Sequence, residues 1–133
     1  SAVPGRILVA EDNPVNQLLA LKLLESLGHY GEAVVNGGEV LEALGRAQYD
    51  LILMDCQMPE MDGYEATRRI RTSGGPAWKD IPIIALTANA LVGDAERCIA
   101  AGMSDYLAKP IQKARLDQML SQWLKRAREK KAA

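Results

Sequence analysis

Cysteine is scarce in this chain of 133 residues: only Cys56 and Cys98 occur, far apart and without metal-ligand spacing. A disulfide framework or a zinc site is therefore not expected, and a reducing, cytoplasmic setting fits. Charge of one sign is lacking too. The formal net charge is -1, which offers no electrostatic footprint for nucleic acid and no basic anchor for a membrane. No apolar run is long enough to cross a bilayer, and no signal peptide opens the chain. What is present is apolar content of 48%, enough to exclude disorder and to build one core in one domain. The chain opens at Ser1 without methionine, so a processed or excised fragment is expected, with residues 1–5 as a leader and residues 126–133 as a basic helix end or tail.

Short apolar runs alternate with helical patterns. Arg6 to Ala10 reads as a strand that ends on Glu11 and Asp12, and Asn13 with Pro14 then starts a helix that stops at Gly28. Tyr30 to Val35 is a weaker strand, followed by a short amphipathic helix with Val40, Leu41 and Leu44 inward. Leu51-Ile52-Leu53-Met54-Asp55 is a strand buried on both faces, a loop runs from Cys56 to Gly63, and a third helix spans about Tyr64 to Arg71. Residues 72–76 read as a linker. Ile81 to Leu86 is a strand ending on Thr87, a fourth helix ends near Gly102, and Asp105 to Ala108 is a fifth strand before Lys109-Pro110. The last helix turns Leu116, Met119, Leu120, Trp123 and Leu124 inward.

Five strands alternating with five helices imply an α/β fold: a doubly wound parallel sheet with helices on both faces. Sites on such sheets lie beyond the carboxyl ends of the strands. Polar residues stand at those ends on the first, third, fourth and fifth strands: Glu11 and Asp12, Asp55, Thr87 and Lys109. The second strand contributes nothing, which fits an edge position in the order 2-1-3-4-5.

Three carboxylates on one rim repel unless a cation or proton offsets them. Mg2+ suits the set, since it takes oxygen ligands, keeps several waters and completes its shell with phosphate oxygens. Lys109 and Thr87 add a point charge and a hydroxyl for phosphate. The chemistry suggested is phosphoryl transfer to a carboxylate, with Asp55 as the nucleophile.

From about Arg6 to Lys125 the chain resembles a response regulator receiver domain, with the flavodoxin-like fold that this implies; the strand order draws part of its support from the resemblance. Glu11 and Asp12 match the family's acidic pair, Asp55 its phosphoacceptor, Thr87 its switch hydroxyl, Tyr106 its switch aromatic, and Lys109 its lysine. The resemblance implies that Asp12, Asp55 and the Gln57 carbonyl ligate Mg2+, that Glu11 assists through water, that Lys109-Pro110 is cis, and that Gln57 and Asn89 tune hydrolysis. It also implies a domain that assists its own phosphorylation and dephosphorylation. The stretches Glu11 to Gln17 and Met54 to Ala66 resemble receivers of hybrid sensor histidine kinases. Ser104, where an acid is common, and Gly38, where relatives often carry a better helix former, depart from the pattern.

Each acid alone is better read as a cap or a solvated turn residue, Thr87 as a turn, Lys109 as an exposed lysine and Tyr106 as packing. Jointly they reverse that reading. Cys56 reads as a small buried hydrophobe. The lone histidine, His29, follows a helix end and reads as a surface residue or a partner of the helix dipole, and a single histidine leaves the phosphoryl donor expected on a partner: a histidine kinase or a histidine-containing phosphotransfer protein. At about 100° per residue, Asn16, Leu19, Ala20, Leu23, Leu24 and Leu27 face the sheet, leaving Leu18 and Leu21 exposed as a partner dock. The alternatives are a degenerate receiver that only docks, a phosphatase with an aspartyl nucleophile, which needs an acid where Gln57 stands, and a nucleotide- or flavin-binding domain, which needs a glycine-rich loop where Glu11 and Asp12 stand.

Overall fold

The computed structural model describes residues 4–88 and 92–132. Asn89 lies outside the described residues, as do the first three residues of the expected leader. The strands are β1 (Arg6–Ala10), β2 (Tyr30–Val34), β3 (Leu51–Asp55), β4 (Ile83–Thr87) and β5 (Asp105–Ala108). Between and after them run α1 (Pro14–Ser26), α2 (Gly37–Arg46), α3 (Gly63–Ser73), a single turn α4 (Pro76–Lys79), α5 (Val92–Ala101) and α6 (Lys113–Ala132). All strand pairs are parallel and the order is β2-β1-β3-β4-β5, as the sequence implies.

Alternation along the strands divides the core into two layers. Leu8, Ile52, Met54, Ile83 and Ala85 pack with α2, α3 and α5 on one face. Ile7, Val9, Leu51, Leu53, Ile84 and Leu86 pack with α1 and α6 on the other. The central strands β3 and β4 are buried throughout, because a parallel sheet covered on both faces has no wet side.

Helix starts follow side-chain capping. Asn13 Oδ1 accepts from the N–H groups of Val15 (2.8 Å) and Asn16 (3.2 Å), Asn36 Oδ1 from Glu39 N–H (2.9 Å), and Asp62 Oδ1 from Glu65 N–H (2.9 Å). Each satisfies a donor that the first helical turn leaves unpaired. Gly28 ends α1 at φ 86, the left-handed conformation that glycine adopts without strain.

Helix α3 runs on to Ser73, and the remainder of the expected linker enters α4. The Arg71 guanidinium organises that region, donating to the carbonyls of Gly102 (2.9 Å), Trp78 (3.2 Å), Lys79 (3.1 Å) and Ile81 (2.6 Å). Local propensity does not reveal such a tertiary anchor. Helix α6 continues to Ala132, where Lys130 pairs with Asp80 beside α4 (3.0 Å), and Arg126 stacks over Trp123 (4.9 Å).

Two expectations for α1 require correction. Leu21 is not an exposed docking residue: it is half-buried against the core layer of α1 and α6. A Cβ on Gly31 would stand 2.8 Å from its Cδ2, so β2 leaves room for that leucine. Leu19, expected on the sheet, is 41% exposed and joins Val15 (73%) and Leu18 (56%) in one apolar stripe. His29 is likewise no simple surface residue, since its Nδ1 accepts the Gly5 N–H at 2.9 Å and is half-buried.

Candidate functional site

The strand register aligns the polar strand ends. Asp55 stands opposite Leu86, next to Thr87, and Thr87 stands opposite Ala108, next to Lys109. Main-chain bonds carry the alignment past the sheet: Glu11 N–H donates to Val34 (3.0 Å), Cys56 N–H to Leu86 (3.2 Å) and Lys109 N–H to Thr87 (2.8 Å). The Lys109-Pro110 peptide is cis.

Gly63 closes the loop that follows Asp55. Its N–H donates to the Cys56 carbonyl at 3.1 Å, and a Cβ there would lie 2.3 Å from the Asp55 carbonyl oxygen. The requirement is lack of room rather than unusual backbone torsion. The one non-glycine residue with positive φ among those described is Glu60, in this loop, at 67.

Lys109 Nζ lies 2.8 Å from Glu11 Oε1 and 2.9 Å from Asp55 Oδ2. Glu11 is 1% exposed and Asp55 6%, so an ammonium among them offsets charge that water reaches poorly. Burial pulls the Lys109 pKa down, but its hydrogen bonds to Glu11 and Asp55 and their charges outweigh burial and hold it above its ordinary 10.5. The remaining oxygens are also placed: Glu11 Oε2 accepts Asn13 N–H (3.1 Å) and Asp55 Oδ1 accepts Gln57 N–H (3.1 Å).

Glu11, Asp12 and Asp55 each bring a carboxylate oxygen within 4.8 Å of the others. Asp12 is exposed while the other two are buried, so the cluster opens to solvent on one side. This all-oxygen set fits a hard cation that keeps part of its water shell. Thr87 is 6% exposed at the same rim, and Tyr106 is half-buried against the α3 and α5 layer.

The acids face an open cleft of about 600 Å³ whose walls also include Asn16, Met58, Tyr64, Asp94 and Arg97. Sequence periodicity does not single out these wall residues, because which helix face meets the cleft depends on packing. It also leaves Cys56 and Cys98 apart, whereas their buried thiols share a hydrogen bond at 3.7 Å and form no disulfide. Burial pushes the Cys56 thiol up to about 12, so beside the Asp55 carboxylate stands a protonated, weakly nucleophilic thiol.

The model of the response regulator receiver domain matches residues 7–121. The chain belongs to the response regulator receiver domain family. Among the curated proteins this receiver domain is similar to the hybrid signal transduction protein dokA of Dictyostelium discoideum, 44% identical over 90% of the chain and 7% of dokA. It is also similar to the sensor protein GacS of Pseudomonas syringae pv. syringae, 41% identical over 89% of the chain and 13% of GacS. The receiver domain thus spans a small part of either relative. Among solved structures it resembles the receiver domain of sensor histidine kinase PA1611 from Pseudomonas aeruginosa PAO1, with 48% identity, a TM-score of 0.83, and coverage of 92% of this chain and 98% of that one. That structure holds a magnesium ion coordinated in its active-site cleft. Among the described residues no helix is long and apolar enough to cross a membrane.

Proposed function

We propose that this receiver domain takes a phosphoryl group from a partner's phosphohistidine onto Asp55, within a phosphorelay of the hybrid histidine kinase kind, in the cytoplasm. The observation that carries this reading is Lys109 Nζ bridging Glu11 and Asp55 at 2.8 and 2.9 Å at the mouth of a three-carboxylate cluster. In the transfer, an Asp55 carboxylate oxygen attacks phosphorus in line, a P–O bond forms, and the P–N bond to the imidazole breaks. The departing imidazole nitrogen keeps the electron pair of the P–N bond and takes a proton from solvent. Lys109 stays beside the nucleophile and stabilises charge on the transferred oxygens, with the Thr87 hydroxyl as a further donor.

Asp12, Asp55 and the Gln57 carbonyl would hold Mg2+, with Glu11 assisting through water. When bound, the ion neutralises charge on the acids and on the phosphoryl oxygens. After transfer the added charge draws Thr87 and Tyr106 inward, and the group either signals or passes onward. Leu18, in the apolar stripe with Val15 and Leu19, is the proposed dock for the partner.

A phosphatase reading is disfavoured because Gln57 offers no carboxyl acid and its N–H is already spent on Asp55 Oδ1. A docking-only reading is disfavoured by the assembled cluster. Intact mass after incubation with acetyl phosphate tests the proposal. A gain of one phosphoryl group that requires Mg2+ and disappears with chelator supports it, and an unchanged mass refutes it.

A further inference from the structure

Lys109 is already committed. Both of its short contacts go to carboxylates of the cluster, so the ammonium meets an incoming phosphoryl group largely neutralised. Asp12 and Asp94 add further negative charge to the cleft walls. Of the chain's own cations at the acid cluster, an anionic donor therefore meets one that is already paired.

A second cation lines the same cleft. Arg97, on α5, holds its Cζ 4.2 Å from the centroid of the Tyr64 ring. Tyr64 is only 6% exposed, so the ring is a fixed platform, while Arg97 above it is an exposed residue. Stacking engages the face of a guanidinium and leaves its in-plane N–H fork free. Among the described residues Arg97 makes no ion pair and no side-chain hydrogen bond. Arg6 makes the comparable contact over Tyr49 at 4.9 Å, but its charge is paired with Glu32. Arg126 stacks over Trp123 away from the cleft.

We propose that Arg97, positioned by Tyr64, is a phosphate-receiving residue of the cleft: its fork binds non-bridging oxygens of the donor's phosphoryl group before and during transfer to Asp55. The inference rests on the reading of Asp55 as phosphoacceptor. A guanidinium matches two such oxygens at once, and charge-assisted pairs are about twice as strong as neutral ones. Arg97 thereby supplies the capture that Lys109, held by two acids, does not. The phosphoryl group is common to small acyl phosphates and protein phosphohistidine, so both donors depend on Arg97.

The test compares labelling rates of the full chain by acetyl phosphate with Mg2+, and by a phosphorylated histidine phosphotransfer domain. Arg97→Met keeps an apolar cover over Tyr64 and removes the charge; Arg97→Lys keeps the charge and removes the fork. The expected result is a loss of about tenfold for Arg97→Met with both donors, carried mainly by the donor concentration needed for half-maximal rate, and a smaller loss for Arg97→Lys. Melting temperatures stay near that of the parent chain. Raised salt slows the parent more than the Met variant. Arg97→Met labelling within twofold of the parent overturns the proposal, as does a loss confined to the protein donor, which would make Arg97 a docking contact. An Asp55→Asn arm separates the two readings: if that variant labels normally, the phosphoacceptor assignment fails, whatever Arg97 does.

Discussion

Lys109 Nζ and Asp55 Oδ2, 54 positions apart in sequence, meet at 2.9 Å where β3 and β5 end. The same ammonium holds Glu11 at 2.8 Å, so removing it leaves two poorly hydrated carboxylates facing each other. Breaking a buried pair from one side costs roughly 3–5 kcal/mol; the Lys109 side chain is 23% exposed, which reduces the expectation to about 2 kcal/mol. Lys109→Met is expected to lose that stability in denaturant titrations at pH 7, and Lys109→Arg, which keeps the charge, to lose less. An equal loss in both variants would mean that packing, not charge, is what the lysine supplies.

His29 gives the fold a pH dependence of known sign. Burial, and then the Arg128 charge, lower its pKa below the ordinary 6.5, outweighing Asp117 and Asp50, which act to raise it. Its Nδ1 is also the acceptor for Gly5 N–H, a role the protonated ring cannot fill. The folded state therefore prefers neutral His29: the stabilisation is present above 6.5 and is lost as pH falls through the lower folded value. Melts between pH 7.5 and pH 5 should show His29→Gln losing less stability than the parent over that interval; parallel curves would refute the assignment.

Ser104 is where a substitution should stabilise. Its Oγ accepts Ile83 N–H at 3.0 Å and lies 3.4 Å from Arg71 Nη2. That guanidinium is tied to carbonyls, and burial lowers its pKa more than the Asp80 charge raises it, so a carboxylate in contact would favour the cation. Ser104→Asp keeps an acceptor for Ile83 and adds the missing carboxylate. A gain of about 1 kcal/mol, or a few degrees in Tm, is expected. A lower Tm would show that the site lacks room for the larger side chain.

Partner docking has its own readout. Leu18→Arg, at a position 56% exposed, should slow transfer from a histidine phosphotransfer domain about tenfold or more while leaving acetyl phosphate labelling nearly unchanged. Loss with both donors would indicate misfolding, and no loss would move the dock elsewhere.

The strand-end chemistry was legible in sequence because each acid, the threonine and the lysine close a short apolar run, and run order alone gives a parallel sheet whose ends converge. What was not legible depends on helix phase. A periodicity of about 100° per residue separates the faces of α1 but does not say that Gly31 makes room for Leu21, nor that Leu19 is left 41% exposed. The same limit hides Arg97 over Tyr64 and Cys98 against Cys56, which only the packing of α5 on α3 and the end of β3 brings together. Turn α4 escapes detection for another reason: its carbonyls converge on Arg71, and no local pattern announces that.

The central claim is that Asp55 receives the phosphoryl group, and borohydride reduction followed by peptide mass mapping tests it most directly, because an aspartyl phosphate is reduced to homoserine while a free carboxylate is not. After incubation with acetyl phosphate and Mg2+, homoserine is expected at position 55 and nowhere else, and Asp55→Asn is expected to give none. Homoserine at Asp12, or a phosphoryl mass gain that persists undiminished in Asp55→Asn, would contradict the account.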